Sequence, residues 1–202
     1  MKLKEILNVG HQSRSPFDLQ SFDLINGQVV APADSQYDVI KATAHTNSNA
    51  ILFGIVEKDA PTVLLCSIMG TFGTVFGTQY FVVEGAWTNS SHQRTGLMTA
   101  LYMSLVKHLN IKILSDKQMS PHMFDLWTGL HRLRGTKVLD IANKQVIPRE
   151  QIPDAELFQD SQPTDNYRLI FEYIEPTIPE LRDGTVRGYQ YVTHPDKTGQ
   201  YE

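Results

Sequence analysis

The chain has 202 residues, 41% of them hydrophobic and 20% charged, enough to bury one sizeable core with extensions. A net charge of −4 and a pI near 6.0 argue against a protein that coats nucleic acid, because that affinity comes mainly from lysine and arginine neutralising phosphates. No apolar run approaches the roughly 20 residues that span a bilayer, and the N-terminus lacks the apolar stretch of a signal peptide, so the expected location is cytoplasmic and no membrane partner is expected.

Residues 1–23 read as irregular apart from a short helical pattern at 3–9, and residues 27–31 predict a first strand. Asp34 is placed to cap a helix running through Tyr37, Ile40 and Ala44, which Asn47-Ser48-Asn49 would break. Residues 50–57 and 62–69 predict two strands joined by Lys58-Asp59-Ala60-Pro61, a turn suited to a hairpin. The single cysteine, Cys66, lies inside the second of these and reads as a buried structural thiol, with no intramolecular disulfide open to it. Residues 71–78, with glycines nearby, predict either a flexible continuation or an extended hairpin leading into a strand over 81–87.

After that strand a polar turn leads into Gln93-Arg94-Thr95-Gly96, and Leu97, Ala100, Leu101, Leu105 and Leu109 then recur at helical spacing. Strand, short loop and a glycine at a helix start aim several unpaired backbone N–H groups at one point, where the helix dipole also favours negative charge. The arrangement is suited to a phosphate. Asn110 ends the helical pattern, and residues 111–116 read as a buried strand. Ser120 as N-cap and Pro121 at the first helical position announce a second helix, with Phe124, Trp127, Leu130 and His131 along one face and Gly135 as its stop. A strand over 137–141 follows.

Residues 143–166 carry Pro148, Pro153 and Pro163 among polar residues and read as an insertion before a last strand at 168–174. Residues 175–202, with Tyr189 and Tyr191 interleaved among prolines and glycines, form either a disordered tail or an arm that wraps the body or a second subunit. The densest basic patch, His131-Arg132-Leu133-Arg134 with Lys137, reads as a solvated helix end whose cations complement the dipole. The seven histidines are scattered without metal-ligand spacing, and no metal is expected.

The segment Gln93 to Met98 resembles motif A of the GNAT acyltransferase superfamily: Gln or Arg, two variable residues, Gly, one variable residue, then Gly or Ala. Gln93 and Gly96 fall on the pattern and Met98 departs from it. The order strand, loop, helix, strand, helix, strand is similar to that of the family's motifs A and B, over roughly residues 50–141. The resemblance implies one acyltransferase domain over residues 1–174. Its fold would be an α/β central mixed sheet with helices on both faces, antiparallel N-terminal strands and a splayed parallel pair at the acyl-CoA site.

It further implies acetyl-CoA as acyl donor and an amine acceptor, a small molecule or a protein. The pyrophosphate would rest on the loop of Gln93, Arg94, Thr95, Gly96, Leu97, Met98 and Thr99, and the pantetheine on backbone groups of Gly85, Ala86 and Trp87. Glu84 is the carboxylate on the fourth strand, where many relatives place a general base, and its apolar neighbours Val82, Val83 and Ala86 would desolvate it and raise its pKa. Asp116, just past the fifth strand, is a second candidate beside the acceptor, or a turn residue.

Many relatives have Asn at the start of the next helix and Tyr seven residues later as the acid for the departing thiolate. Those positions are Ser120 and Trp127 here, and indole donates hydrogen bonds without transferring a proton. Ser120 is therefore read as a cofactor contact or simply a cap, and Trp127 as core packing. The combination of Leu114-Ser115-Asp116, Ser120 and Trp127 is similar to GNAT-like proteins encoded by tailed bacteriophages. The alternative is a GNAT-shaped protein of weak turnover that binds a host or viral protein; a homodimer is compatible with either.

Overall fold

The computed structural model describes residues 22–45, 49–116, 121–159, 162–163 and 166–173. The expected helix at 3–9, the break at 47–48, the cap at Ser120 and the arm at 175–202 lie outside them. The fold is α/β, dominated by a nine-stranded mixed sheet that is antiparallel everywhere except at one seam. Its order is β1 (Gln28–Pro32), β2 (Tyr37–Thr43), β3 (Ile51–Glu57), β4 (Ala60–Val75), β5 (Thr78–Thr88), β6 (Ile113–Leu114), then β11 (Tyr167–Phe171), β7 (Lys137–Asp140) and β8 (Gln145–Pro148). Two short strands, β9 (Phe158–Gln159) and β10 (Gln162–Pro163), pair separately.

The helix expected from Asp34 is instead a hairpin turn and β2. Asp34 Oδ1 accepts from the backbone N–H of Gln36 at 2.7 Å and of Tyr37 at 2.9 Å, so the chemistry that caps a helix here closes a turn. The residues that follow, with β-branched Val39 and Ile40 buried, fit a pleated sheet between two neighbours. Residues 71–78 form an extended hairpin: Phe76 and Gly77 both have positive φ, 49° and 77°, as a two-residue turn with the twist of its strands requires. The expected insertion holds β8, a short 3₁₀ turn, the one-turn helix α3 (Asp154–Leu157) and the β9–β10 pair.

Two longer helices complete the layer, α1 (Leu97–His108) and α2 (Pro121–Arg134). Asn110 at φ 52° and Gly135 at φ 75° end them in the left-handed conformation, as their sequence positions suggest. Leu101, Tyr102 and Leu105 of α1 share one buried cluster with Trp127 and Leu130 of α2 and with Phe53, Ile55, Ile68 and Phe81 of the sheet. Both long helices therefore cover the same face. The expectation of helices on both faces is not met among the described residues, and on the other face Tyr80, Leu114, Leu139 and Ile170 form a separate buried cluster.

Cys66 is fully buried, and burial pushes its thiol up to about 12, which fits the structural role expected of it. Among the described residues no helix is long and apolar enough to cross a membrane.

Candidate functional site

The seam between β5 and β6 is parallel and short. Only Phe81 with Ile113 and Val82 with Leu114 are in register, although β5 continues to Thr88. Two local features lie just beyond that point. On the β6 side, Ser115 is committed to β11: its N–H donates to the Leu169 carbonyl at 2.9 Å, and its Oγ accepts from the Leu169 N–H at 3.0 Å. On the β5 side, the register with β4 shifts between Gly70 opposite Val83 and Met69 opposite Gly85, leaving Glu84 as the extra residue of a β-bulge. Such a bulge bends its strand and re-aims a side chain.

That bulge places Glu84 on the surface, contrary to the burial its apolar neighbours suggest. The residue is exposed, and Thr71 Oγ1 donates to its Oε1 at 3.1 Å. Gly85, Ala86 and Trp87 are half-buried and lie on β5 beyond its last pair with β6. Their ladder partners on β4 are Met69, Ile68 and Ser67.

Asn89 ends the strand. It is buried, its N–H donates to the Leu65 carbonyl at 2.8 Å, and its Oδ1 accepts from the Ser91 N–H at 3.1 Å, which starts a 3₁₀ turn over Ser90–His92. Asn89 thus anchors the loop, a role the sequence marks only as a polar turn.

Gln93 is extended, with φ −66° and ψ 143°, whereas Arg94 at φ 63° and Gly96 at φ 85° lie in the left-handed region, so the chain reverses direction before α1 begins. Thr95 Oγ1 donates to the His92 carbonyl at 2.6 Å, holding the turn. Gly96 is the N-cap of α1 and supplies no side-chain bond; Ala100 N–H is bonded to the Gly96 carbonyl at 2.9 Å, leaving the amides of Leu97, Met98 and Thr99 ahead of the helical ladder.

Gln93, Arg94, Thr95 and Gly96 are exposed, Leu97 is buried, and Met98 and Thr99 are half-buried. A Cβ at Gly96 would meet nothing within 4 Å, so a side chain there would enter open space. Met98, the departure from the motif, is half-buried and packs against the main core cluster. These features suit an anion: amides at a helix start, no side-chain cap competing for them, and Met98 packed against the core.

Asp116 is half-buried at the end of β6 and takes part in an interaction, so it is not a free carboxylate. Trp127 is 2% exposed and meets Tyr102 edge-to-face with ring centroids 5.8 Å apart. The basic run at the end of α2 is tied to its surroundings through His131, whose Nδ1 accepts from the Thr136 N–H at 3.2 Å and whose Nε2 lies 3.7 Å from Glu150.

The site is thus assembled from the diverging strands β5 and β6, the Asn89 to Gly96 loop and the start of α1. No protein-family model matches the chain, and no curated protein matches it significantly.

Proposed function

We propose that the chain is a GNAT-like acyl-CoA-dependent N-acyltransferase that takes acetyl-CoA as donor. The observation that carries this reading is the coincidence of two features on one connection: a parallel pair whose register ends after two positions, and a helix start with no side-chain cap at the end of the Asn89 to Gly96 loop that follows the longer strand. The ladder with β6 stops at Val82, which would let backbone groups of β5 between Val83 and Ala86 bind a pantetheine amide by amide. The helix start supplies the amides of Gly96, Leu97, Met98 and Thr99 for the pyrophosphate.

Transfer then needs an amine nitrogen to attack the thioester carbon, forming the C–N bond as the C–S bond breaks and the thiolate departs. Backbone N–H groups of the open edge of β5 would polarise the carbonyl. Glu84 takes the amine proton, directly or through water; it is the carboxylate nearest the open edge in sequence, and the bulge presents it outward to an acceptor. No tyrosine occupies the Trp127 position, so the thiolate leaves as an anion or is protonated by water or the attacking amine.

The test is calorimetry of the wild-type protein with acetyl-CoA, together with mass spectrometry of the protein as purified and after mixing. Saturable heat and a retained CoA are expected, and an acetylated acceptor in the mixture would establish turnover. Binding without any acetylated product would favour a GNAT-shaped binding protein, and absence of heat would overturn the acyl-CoA reading.

A further inference from the structure

Glu84 has no residue of its own across the ladder with β4. The registered residues on either side are Gly70, opposite Val83, and Met69, opposite Gly85, so no neighbouring side chain faces the bulge directly. A glutamate on an exposed bulge has several side-chain torsions to fix before its carboxylate keeps one direction. Here the carboxylate meets Thr71, whose Oγ1 donates to Glu84 Oε1 at 3.1 Å.

Thr71 is placed to be a fixed point. It pairs with Val82, the last residue of β5 in register with β6, so it stands at the level where that register ends. Directly paired residues of antiparallel strands share a face. Val82 packs with Tyr80 and Leu114 on the face away from α1 and α2, which puts Thr71 and the carboxylate it holds on that face. The two strands press together just before it: a Cβ at Gly70 would fall 1.9 Å from the Val82 carbonyl oxygen. Thr71 itself is half-buried and β-branched, so its own side-chain torsion is restricted and its hydroxyl keeps one direction more readily than the glutamate does.

We propose that Thr71 is a positioning residue for acyl transfer: its hydroxyl occupies Glu84 Oε1 and so leaves Oε2 as the oxygen that takes the amine proton. The proposal rests on the acyl-CoA reading with Glu84 as the base. As the C–N bond forms and the C–S bond breaks, the proton passes from nitrogen to Oε2 and from there to solvent, while the Thr71 hydroxyl keeps its own proton throughout. Its contribution is orientation, set before the amine arrives.

The test is a double-mutant cycle of Thr71→Val, which keeps the shape and removes the hydroxyl, with Glu84→Gln. CoA release from acetyl-CoA is followed against a panel of primary amines: an alkylamine, an arylamine, an amino acid amide and a lysine peptide. In the wild-type background Thr71→Val should lower kcat about five-fold at unchanged KM for acetyl-CoA, and Thr71→Ser should recover most of the loss. In the Glu84→Gln background Thr71→Val should change nothing, because a residue that acts only through the base has nothing left to act on. The same loss in both backgrounds, no recovery with Thr71→Ser, or a Thr71→Val enzyme as active as the wild type would overturn the positioning role and leave the acyl-CoA reading standing. Saturable acetyl-CoA binding with no CoA release from any amine of the panel would overturn it too, in favour of a binding protein. Failure of the wild type to bind acetyl-CoA would overturn the acyl-CoA reading, and this role with it.

Discussion

The two edges of β5 behave differently. Toward β4 the strand is paired along its whole length, from Thr78 opposite Val75 to Thr88 opposite Cys66, with a single interruption. Toward β6 it is paired at Phe81 and Val82 alone. The β4 edge is spent on the fold and the β6 edge is kept open, and an open backbone edge inside a sheet is chemically useful because amides that would otherwise be satisfied there can bind a ligand. The bulge at Glu84 and the bonds of Ser115 to Leu169 lie where the two edges begin to differ.

The most direct way to break the comparison is at the loop where the open edge leads. Gly96→Trp puts an indole into space that is now empty, at a residue with φ 85°. Acetyl-CoA affinity should fall by roughly 100-fold or more, equivalent to at least about 2.7 kcal/mol. The left-handed backbone costs a side chain about 1–2 kcal/mol in stability, so the variant should melt lower but still fold cooperatively. Unchanged affinity by calorimetry would remove the loop from the ligand site.

Glu84→Gln addresses the chemistry of the open edge and leaves its shape alone. The amide keeps an acceptor for Thr71 Oγ1, so the bulge should persist. If Glu84 takes the amine proton, turnover with an identified acceptor should drop roughly 10²-fold with little change in acetyl-CoA affinity. Equal turnover would show that the bulge exposes Glu84 without using it.

The closed edge can be broken at Gly70, which faces the bulge. A Cβ there would collide with the Val82 carbonyl oxygen and come within 3.1 Å of the Phe81 ring. Gly70→Ala should therefore destabilise the protein by about 1–3 kcal/mol, read as a lower melting temperature. Acetyl-CoA affinity should weaken as well, because the bend of β5 depends on that register. A variant as stable as the wild type would show that the β4–β5 ladder tolerates another alignment.

The sequence displays some of this asymmetry and hides the rest. The apolar runs at 50–57, 62–69 and 81–87 are read correctly as strands because β-branched residues and a turn between them carry a local signal. The loop is legible through Gly96, whose positive φ few other residues accept. Asp34 misleads because one short-range bonding pattern serves helix caps and tight turns alike, and only the tertiary neighbours β1 and β3 decide between them. The bulge is illegible, since it depends on the register between two strands rather than on either alone. The exposure of Glu84 follows from that register, which is why its apolar neighbours suggest burial.

Trp127→Phe is the mildest of the changes and sharpens the comparison from the helix side. The indole is 2% exposed and packed on Tyr102, so its loss removes packing area between the two long helices. A large-to-smaller aromatic swap of this kind costs about 1 kcal/mol of stability, and turnover should stay within a few-fold of wild type. Loss of a true proton donor would instead cost about 10²- to 10⁴-fold. The pH profile should agree: turnover rises as the acceptor amine deprotonates and then levels off, with no falling alkaline limb. Tyr102 does not supply one, because burial holds its phenol above the ordinary range and keeps it protonated through that window. A large rate loss in Trp127→Phe at unchanged stability and acetyl-CoA affinity would mean that this indole, and not the open strand edge, governs departure of the thiolate.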